Sequence, residues 1–295
     1  MRPLILLTVL ASFLFSSCAG APFPREIFDR EDVFKIWAVA DTQPVNPSHR
    51  RAFENAVEDF NLNTSNVHMA LVAGDIVNSA SEEVFDWYLA TRSKSYITMW
   101  NEIAGNHDVK PDGGALFRKK IGKFNKTITR GNILFILVSD EDGTKPTVIS
   151  DKSFEWWKKT VENNRDKILV VMTHAPLEGS SIVFSGLRDR QITNSQRFTE
   201  VLKKEKVDLW LSGHTHVPHF FPRTIKKKDN LNGVVFVHIS SIRPEVGGLK
   251  HPESRFLAFY CGTKKLSVFS RNHKKRKWQN RHAKHFMLSK TVECP

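Results

Sequence analysis

Eight polar side chains in this sequence have the types and spacing to hold metal ions beside a reactive imidazole: Asp41, Asp75, Asn106, His107, Asp108, His174, His214 and His216. Each follows a short apolar run. Asp41 stands after Phe34 to Ala40, Gly74-Asp75 after Met69 to Ala73, and Gly105-Asn106-His107-Asp108 after the Tyr96 to Ala104 segment. Thr173-His174 follows Ile168 to Met172, and Gly213-His214-Thr215-His216 follows Val207 to Leu211. Carboxylate, amide and imidazole donors in this mixture suit zinc, manganese or iron, and the lack of cysteine among them argues against structural zinc or an iron–sulfur cluster. Two ions about 3.5–4 Å apart need a bridging carboxylate, separate ligands for each ion, and open positions for water and a substrate oxygen. Asp75 is the natural bridge. His214 and His216, two residues apart on extended backbone, point the same way and can serve different ions. A single loop histidine is ordinarily just a hydrogen-bonded polar residue; the joint placement is what points to metal.

The elements that must position these groups are legible in the periodicity. The runs Phe34 to Ala40, Met69 to Ala73, Ile133 to Val138, Ile168 to Met172, Val207 to Leu211 and Val234 to Ile239 read as buried strands. Between them, Ser48 to Phe60, Ser81 to Ser93, Asp151 to Asn163 and Ser195 to Lys206 have helical spacing. Alternation of this kind predicts a layered α/β domain, with a hairpin around Gly262 joining Phe256 to Cys261 and Leu266 to Ser270. Ligands of such sheets gather where the carboxyl ends of the strands converge. His238, on an apolar run, reads as a hydrogen-bonded strand residue. His219 is either core or cleft lining, Trp156 and Trp157 fill core, and the loop with Ser180, Ser181 and Arg188 either meets substrate or is plain surface.

In this order the motifs resemble those of the calcineurin-like dimetal metallophosphoesterase superfamily, whose pattern runs Asp-x-His, Gly-Asp, Gly-Asn-His-Asp/Glu, a lone His, then Gly-His-x-His. The likeness spans Ile36 to Ile239. It implies a four-layer α/β/β/α sandwich of two mixed sheets with helices outside and the metals at one edge. Ile133 to Val138, Val234 to Ile239 and the hairpin of Phe256 to Ser270 would serve the second sheet. The resemblance also implies a first ion on Asp41, Asp75 and His216 and a second on Asp75, Asn106, His174 and His214, the metals being manganese, zinc or iron. His107 would stand unliganded beside the substrate, oriented by Asp108, and a metal-bridging hydroxide would attack phosphorus of a phosphomonoester or phosphodiester. Gln43 stands where the family has histidine. An amide oxygen is a weaker donor, so Gln43 either ligates through its carbonyl, holds a ligating water, or leaves the first site loose.

The 295 residues, with 40% apolar content and 44 Lys+Arg against 31 Asp+Glu, suffice for a full core and exclude collagenous, coiled-coil and wholly disordered classes. Met1-Arg2, an apolar run from Pro3 to Phe15 and the small residues to Ala21 have the layout of a secretory signal over residues 1–21. That run is too short to span a bilayer. Export to the periplasm or medium is the expectation, with Cys18 a further candidate for lipid attachment. The expected domain covers residues 28–271. Residues 272–295 read as a basic tail, solvated or attracting nucleic acid or anionic lipid. Cys261 and Cys294 are either a disulfide or two separate thiols. Three functions compete: an exported phosphoesterase, a noncatalytic phosphate- or polyanion-binding protein on the same fold, and a nuclease anchored by the tail.

Overall fold

The computed structural model describes residues 24–144, 146–244 and 251–294, so the expected leader over residues 1–21, with Cys18, lies outside the described residues. A short helix α1 (Pro24–Phe28) leads into β1 (Val33–Val39), followed by α2 (Pro47–Asn63), β2 (Met69–Val72), α3 (Glu82–Arg92), β3 (Trp100–Glu102) and α4 (Ala115–Lys120). The second half runs β4 (Lys126–Arg130), β5 (Ile133–Val138), α5 (Asp151–Glu162), β6 (Ile168–Thr173), α6 (Ser195–Leu202), β7 (Leu209–Ser212), β8 (Ile225–Lys228) and β9 (Val234–His238). The chain closes with β10 (Glu253–Tyr260), β11 (Lys265–Asn272), β12 (Lys277–Trp278) and β13 (Lys284–Met287). No described helix is long and apolar enough to cross a membrane.

Two mixed sheets result. The first has the order β12-β11-β10-β1-β2-β3, with β13 also on β11; the second has the order β4-β5-β6-β7-β9-β8. Within them β1-β2-β3 and β5-β6-β7-β9 are parallel. Strands buried on both faces read as continuous apolar runs, and their period of two decides which core each residue enters. On β1, Phe34, Ile36 and Ala38 face the space between the sheets with Phe135, Leu137 and Val170. Trp37 and Val39 face the opposite way, against Phe53 and Phe60 of α2. Trp157 of α5 and Phe198 of α6 cover the other sheet over Trp210. This is the four-layer sandwich the motifs imply.

The hairpin of β10 and β11 departs from expectation. It joins the first sheet, where β10 pairs antiparallel with β1, and not the sheet of β5 and β9. Both sheets need an apolar strand at that edge, and local sequence carries no information on which one receives it. The stretch past Arg271, expected as a tail, continues the first sheet: β12 and β13 pair with β11, and Cys294 forms a disulfide with Cys261.

A buried polar chain fastens α2 to this sheet. Arg271 donates twice to the Asp59 carboxylate at 2.6 Å, and the His273 Nδ1–H donates to it at 2.7 Å. Ser254 Oγ donates to His273 Nε2 at 2.7 Å and accepts from Trp37 Nε1 at 2.8 Å. Every member is satisfied, which makes burying the charges tolerable. Burial holds His273 below the ordinary imidazole value. Burial also works against the Asp59 charge, but the bonds from His273 and Arg271 overcome it and keep the carboxyl below its usual range.

Asp59→Ala strands Arg271 without a counterion and is expected to cost about 3–5 kcal/mol in denaturant unfolding. Both pKa values are depressed in the folded state, so their contribution is complete at neutral pH. It should fall as pH drops, first through about 6.5 for the imidazole and then below about 3.9 for the carboxyl. Unfolding of His273→Gln should show a shallower pH slope between about 6.5 and 5 than the parent chain; an identical slope would remove His273 from this account.

Candidate metal centre

The parallel strands of both sheets end at one edge of the sandwich, and the polar residues just beyond them meet there. Asp41 follows β1, Asp75 follows β2, Asn106 and His107 follow β3, His174 follows β6, and His214 and His216 follow β7. The sheets are tied to each other at this edge. The His214 N–H donates to Asp41 at 3.1 Å, and His174 Nδ1–H donates to the Ala73 carbonyl at 2.8 Å. Asp41, Asp75, His214 and His216 all hold positive φ, between 53° and 68°. Such backbone costs roughly 1–3 kcal/mol per residue, and it is concentrated here. The chains approach so closely that a Cβ on Gly105 would collide with the Asp75 carboxylate, and one on Gly213 would lie 2.7 Å from Asp41 Oδ2.

Donor atoms of Asp75, His174 and His214 fall within 4.8 Å of one another, and those of Asp41, Asp75 and His216 do the same, so Asp75 is common to both groups. His174 Nε2 lies 3.3 Å from Asp75, and His216 Nε2 lies 3.1 Å from Asp41. The Ala73 carbonyl fixes the proton on His174 Nδ1, and the Asp189 carbonyl, 3.1 Å away, fixes it on His214 Nε2. The remaining nitrogens, His174 Nε2 and His214 Nδ1, face each other at 3.1 Å. With a proton on Nε2, the charged His174 ring donates to His214 Nδ1, and a bound metal ion would take that proton's place. Burial disfavours charge on His174, but Asp75 and then Asp41 outweigh it and raise its pKa to about 10. Burial and the His174 charge push His214 down to about 3. Asp75 is likewise buried, yet its charge is kept by His174.

Asn106 sits with both amide atoms buried and unpartnered, and so does Gln43 Oε1. Gln43 Nε2 lies 2.8 Å from His216 Nε2, so the side chain reaches the Asp41, Asp75 and His216 group. A buried amide oxygen with no donor, next to clustered carboxylates and imidazoles, is what a cation ligand looks like before the cation arrives. The residues present thus fit two metal ions sharing Asp75.

His107 is partly exposed at the mouth of this cluster. Its N–H donates to Asp75 Oδ1 at 2.9 Å, and its Nδ1–H donates to the Asn78 carbonyl at 2.7 Å, leaving Nε2 as the nitrogen that can exchange a proton. The ring is therefore oriented by Asn78 and not by Asp108. Asp108 accepts from Val77 N–H and Gly105 N–H at 2.9 and 2.8 Å, clamping the loop after β2 to the loop after β3. Burial, then the neighbouring Asp75, pushes its pKa up to about 8.

Backbone carbonyls of Ala73, Asn78 and Asp189 are invisible to sequence reasoning, because every residue has one. Asp140 could have been found: it stands at the end of β5, is 1% exposed, has Oδ2 unpartnered, and is raised to about 6 by burial. His219 does not line the cleft. Its Nε2 accepts from Ser240 N–H at 3.0 Å in the core. His238 is the hydrogen-bonded strand residue expected, its Nε2 3.2 Å from the Val217 carbonyl.

Comparison with known proteins places this arrangement. A probable cyclic nucleotide phosphodiesterase of Xenorhabdus bovienii is 24% identical over 162 residues, taking in 53% of this chain and 64% of that relative. The purple acid phosphatase of yellow lupin (Lupinus luteus) seeds superposes with a TM-score of 0.63 at 14% identity, over 88% of this chain and 54% of its own. GAP50, the anchor in the inner membrane complex of Plasmodium, superposes at 0.64 and 11% identity, over 88% and 90%. At these identities the structural likeness carries the fold, and the chain spans under two thirds of the first two proteins' lengths. Residues 34–218 match the sequence model of the calcineurin-like phosphoesterases, and with that match over more than half its length the chain belongs to the calcineurin-like phosphoesterase family.

Proposed function

We propose that the chain is a metal-dependent phosphoesterase that hydrolyses a phosphodiester or phosphomonoester, the diester being favoured by its similarity to a probable cyclic nucleotide phosphodiesterase. The observation that carries this reading is the pair of donor groups sharing Asp75, with the His107 ring held at their mouth. Two bound metal ions would supply activation of water and neutralise charge on the phosphoryl oxygens. Asp41, Gln43, Asp75 and His216 would hold one, and Asp75, Asn106, His174 and His214 the other. Oxygen and imidazole ligands suit manganese, zinc or iron.

The protein's own part is positional and acid–base. Asn78 keeps the His107 proton on Nδ1 in the neutral ring, so proton exchange takes place at Nε2. As water adds to phosphorus and the ester bond breaks, a protonated His107 gives its Nε2 proton to the departing oxygen. Asp108 keeps His107 in register with Asp75 by clamping the two loops that carry them. Export belongs to the same reading. The apolar run after Arg2 and the Cys261 to Cys294 disulfide support an oxidising compartment.

Hydrolysis of paired aryl phosphomonoester and phosphodiester substrates, after stripping and reloading with manganese, zinc or iron, tests the activity. Turnover is expected with metal only. His107→Ala should lower kcat about 100- to 10,000-fold while elemental analysis shows unchanged metal content. A folded chain that binds metal without turnover would restore the noncatalytic reading. Gln43→His should tighten the more weakly held ion against a chelator, since imidazole is the better donor for zinc or iron; unchanged affinity would take Gln43 out of the ligand set.

A further inference from the structure

Eight large apolar side chains are exposed among the described residues; Val45, Leu62, Tyr96 and Met287 stand singly, and the other four are grouped. Among the described residues, Phe184, Leu187, Phe220 and Phe221 are between 40% and 55% exposed and lie in just two loops, those after β6 and β7. The loops are joined to each other, Val183 N–H donating to the Arg223 carbonyl at 3.2 Å, and Lys228 of β8 adds a bond from its Nζ to Ser181 Oγ at 2.9 Å. The Phe220 and Phe221 rings pack together with centroids 4.9 Å apart, although both stay open to solvent. Nothing in the described fold covers these four side chains.

Cations are interleaved with them. Arg188, Arg190 and Arg223 are exposed on the same two loops, and Lys226 is exposed on β8, which follows the second of them. Phe220 further borders a cleft of about 610 Å³ whose other walls include Lys275, Lys277, Trp278 and Arg281 of the C-terminal segment. That segment therefore joins its positive charge to the aromatic loops. The same surface meets the metal centre, because the Asp189 carbonyl between Arg188 and Arg190 is the one that holds His214 Nε2. Apolar tips set among arginines and lysines match the boundary between acyl chains and anionic headgroups. A nucleic-acid surface would also use cations and rings, but Leu187 offers no ring on which a base can stack.

We propose that the loops around Phe184 and Phe220, with the basic C-terminal segment, dock this protein on an anionic lipid bilayer and bring the metal centre to phosphoesters carried there. The docking stands independently of the phosphoesterase reading; only the delivery of substrate rests on it.

Flotation of the full chain with phosphatidylcholine vesicles, with or without phosphatidylserine as about one third of the lipid, tests the contact. Hydrolysis of a soluble aryl phosphodiester is followed in parallel. The chain should float with the anionic vesicles and not with the neutral ones. Replacing both rings, Phe220→Ser with Phe221→Ser, should weaken partition about tenfold without changing hydrolysis of the soluble ester. Arg188→Ala with Arg223→Ala should weaken it about twentyfold and flatten its salt dependence. No flotation with anionic vesicles, unaltered flotation of both double variants, or binding of a single-stranded oligonucleotide in place of vesicles would overturn the proposal. Vesicle binding without soluble hydrolysis would instead remove the phosphoesterase reading and leave the docking surface standing.

Discussion

Burying the Asp75 carboxylate at the seam between two sheets is the constraint from which the architecture of the site follows. A carboxylate that is 2% exposed is expensive to hold unless cations and N–H donors surround it. Here the donors come from both halves of the chain: the His107 N–H from the loop after β3 and the His174 ring from the end of β6 in the other sheet. Asp41, fully buried, is met in the same way by the His214 N–H and the His216 ring. The left-handed backbone at Asp41, Asp75, His214 and His216 turns each chain sharply enough to bring these groups together, and the interlocking bonds keep it there. Divalent cations would complete a charge arrangement that the protein leaves incomplete.

The rest of the molecule makes that seam rigid. Arg255 spans the space between the sheets, donating to the His238 carbonyl at 3.1 Å, to Thr224 Oγ1 at 3.1 Å, and to Ser270 Oγ. Burial pushes its pKa down to about 9. It thus links β10 of one sheet to β9 of the other a short way below the metal centre. His238, held in part by this contact region, lies with its ring against Thr215, between the two histidines of the last motif. On the far face, Asp59, Arg271, His273, Ser254 and Trp37 fix α2 to the first sheet. Polar atoms in these positions specify one relative placement of elements where an apolar core would tolerate several.

The proposed functions divide between the rigid edge and the loops outside it. The candidate ligand positions sit on strand ends backed by three apolar clusters, which suits groups that must hold a fixed geometry. His107 and His216 are the most exposed of the set. The loops after β6 and β7 have two sides. Their inner residues buttress His214, and their outer residues present aromatic and basic side chains to the surroundings.

Much of this protein was written locally. Apolar runs of five to seven residues fixed the inner strands because parallel strands covered on both faces need no polar alternation, and the polar residue ending each run marked the site. Alternation of strands and helices fixed the class of fold. The three-dimensional structure alone decided which sheet received the β10 and β11 hairpin, since either edge could have accepted its pattern. It also decided that the stretch past Arg271 is sheet, through pairing with β11 and the Cys261 bond, where its run of like charges suggested a solvated end. The orientation of His107 by Asn78 and of His214 by Asp189 depends on backbone carbonyls, which no side-chain pattern encodes. What residue types do was legible from spacing; which atom faces which required the packed chain, because hydrogen-bond partners distant in sequence are chosen by tertiary contact.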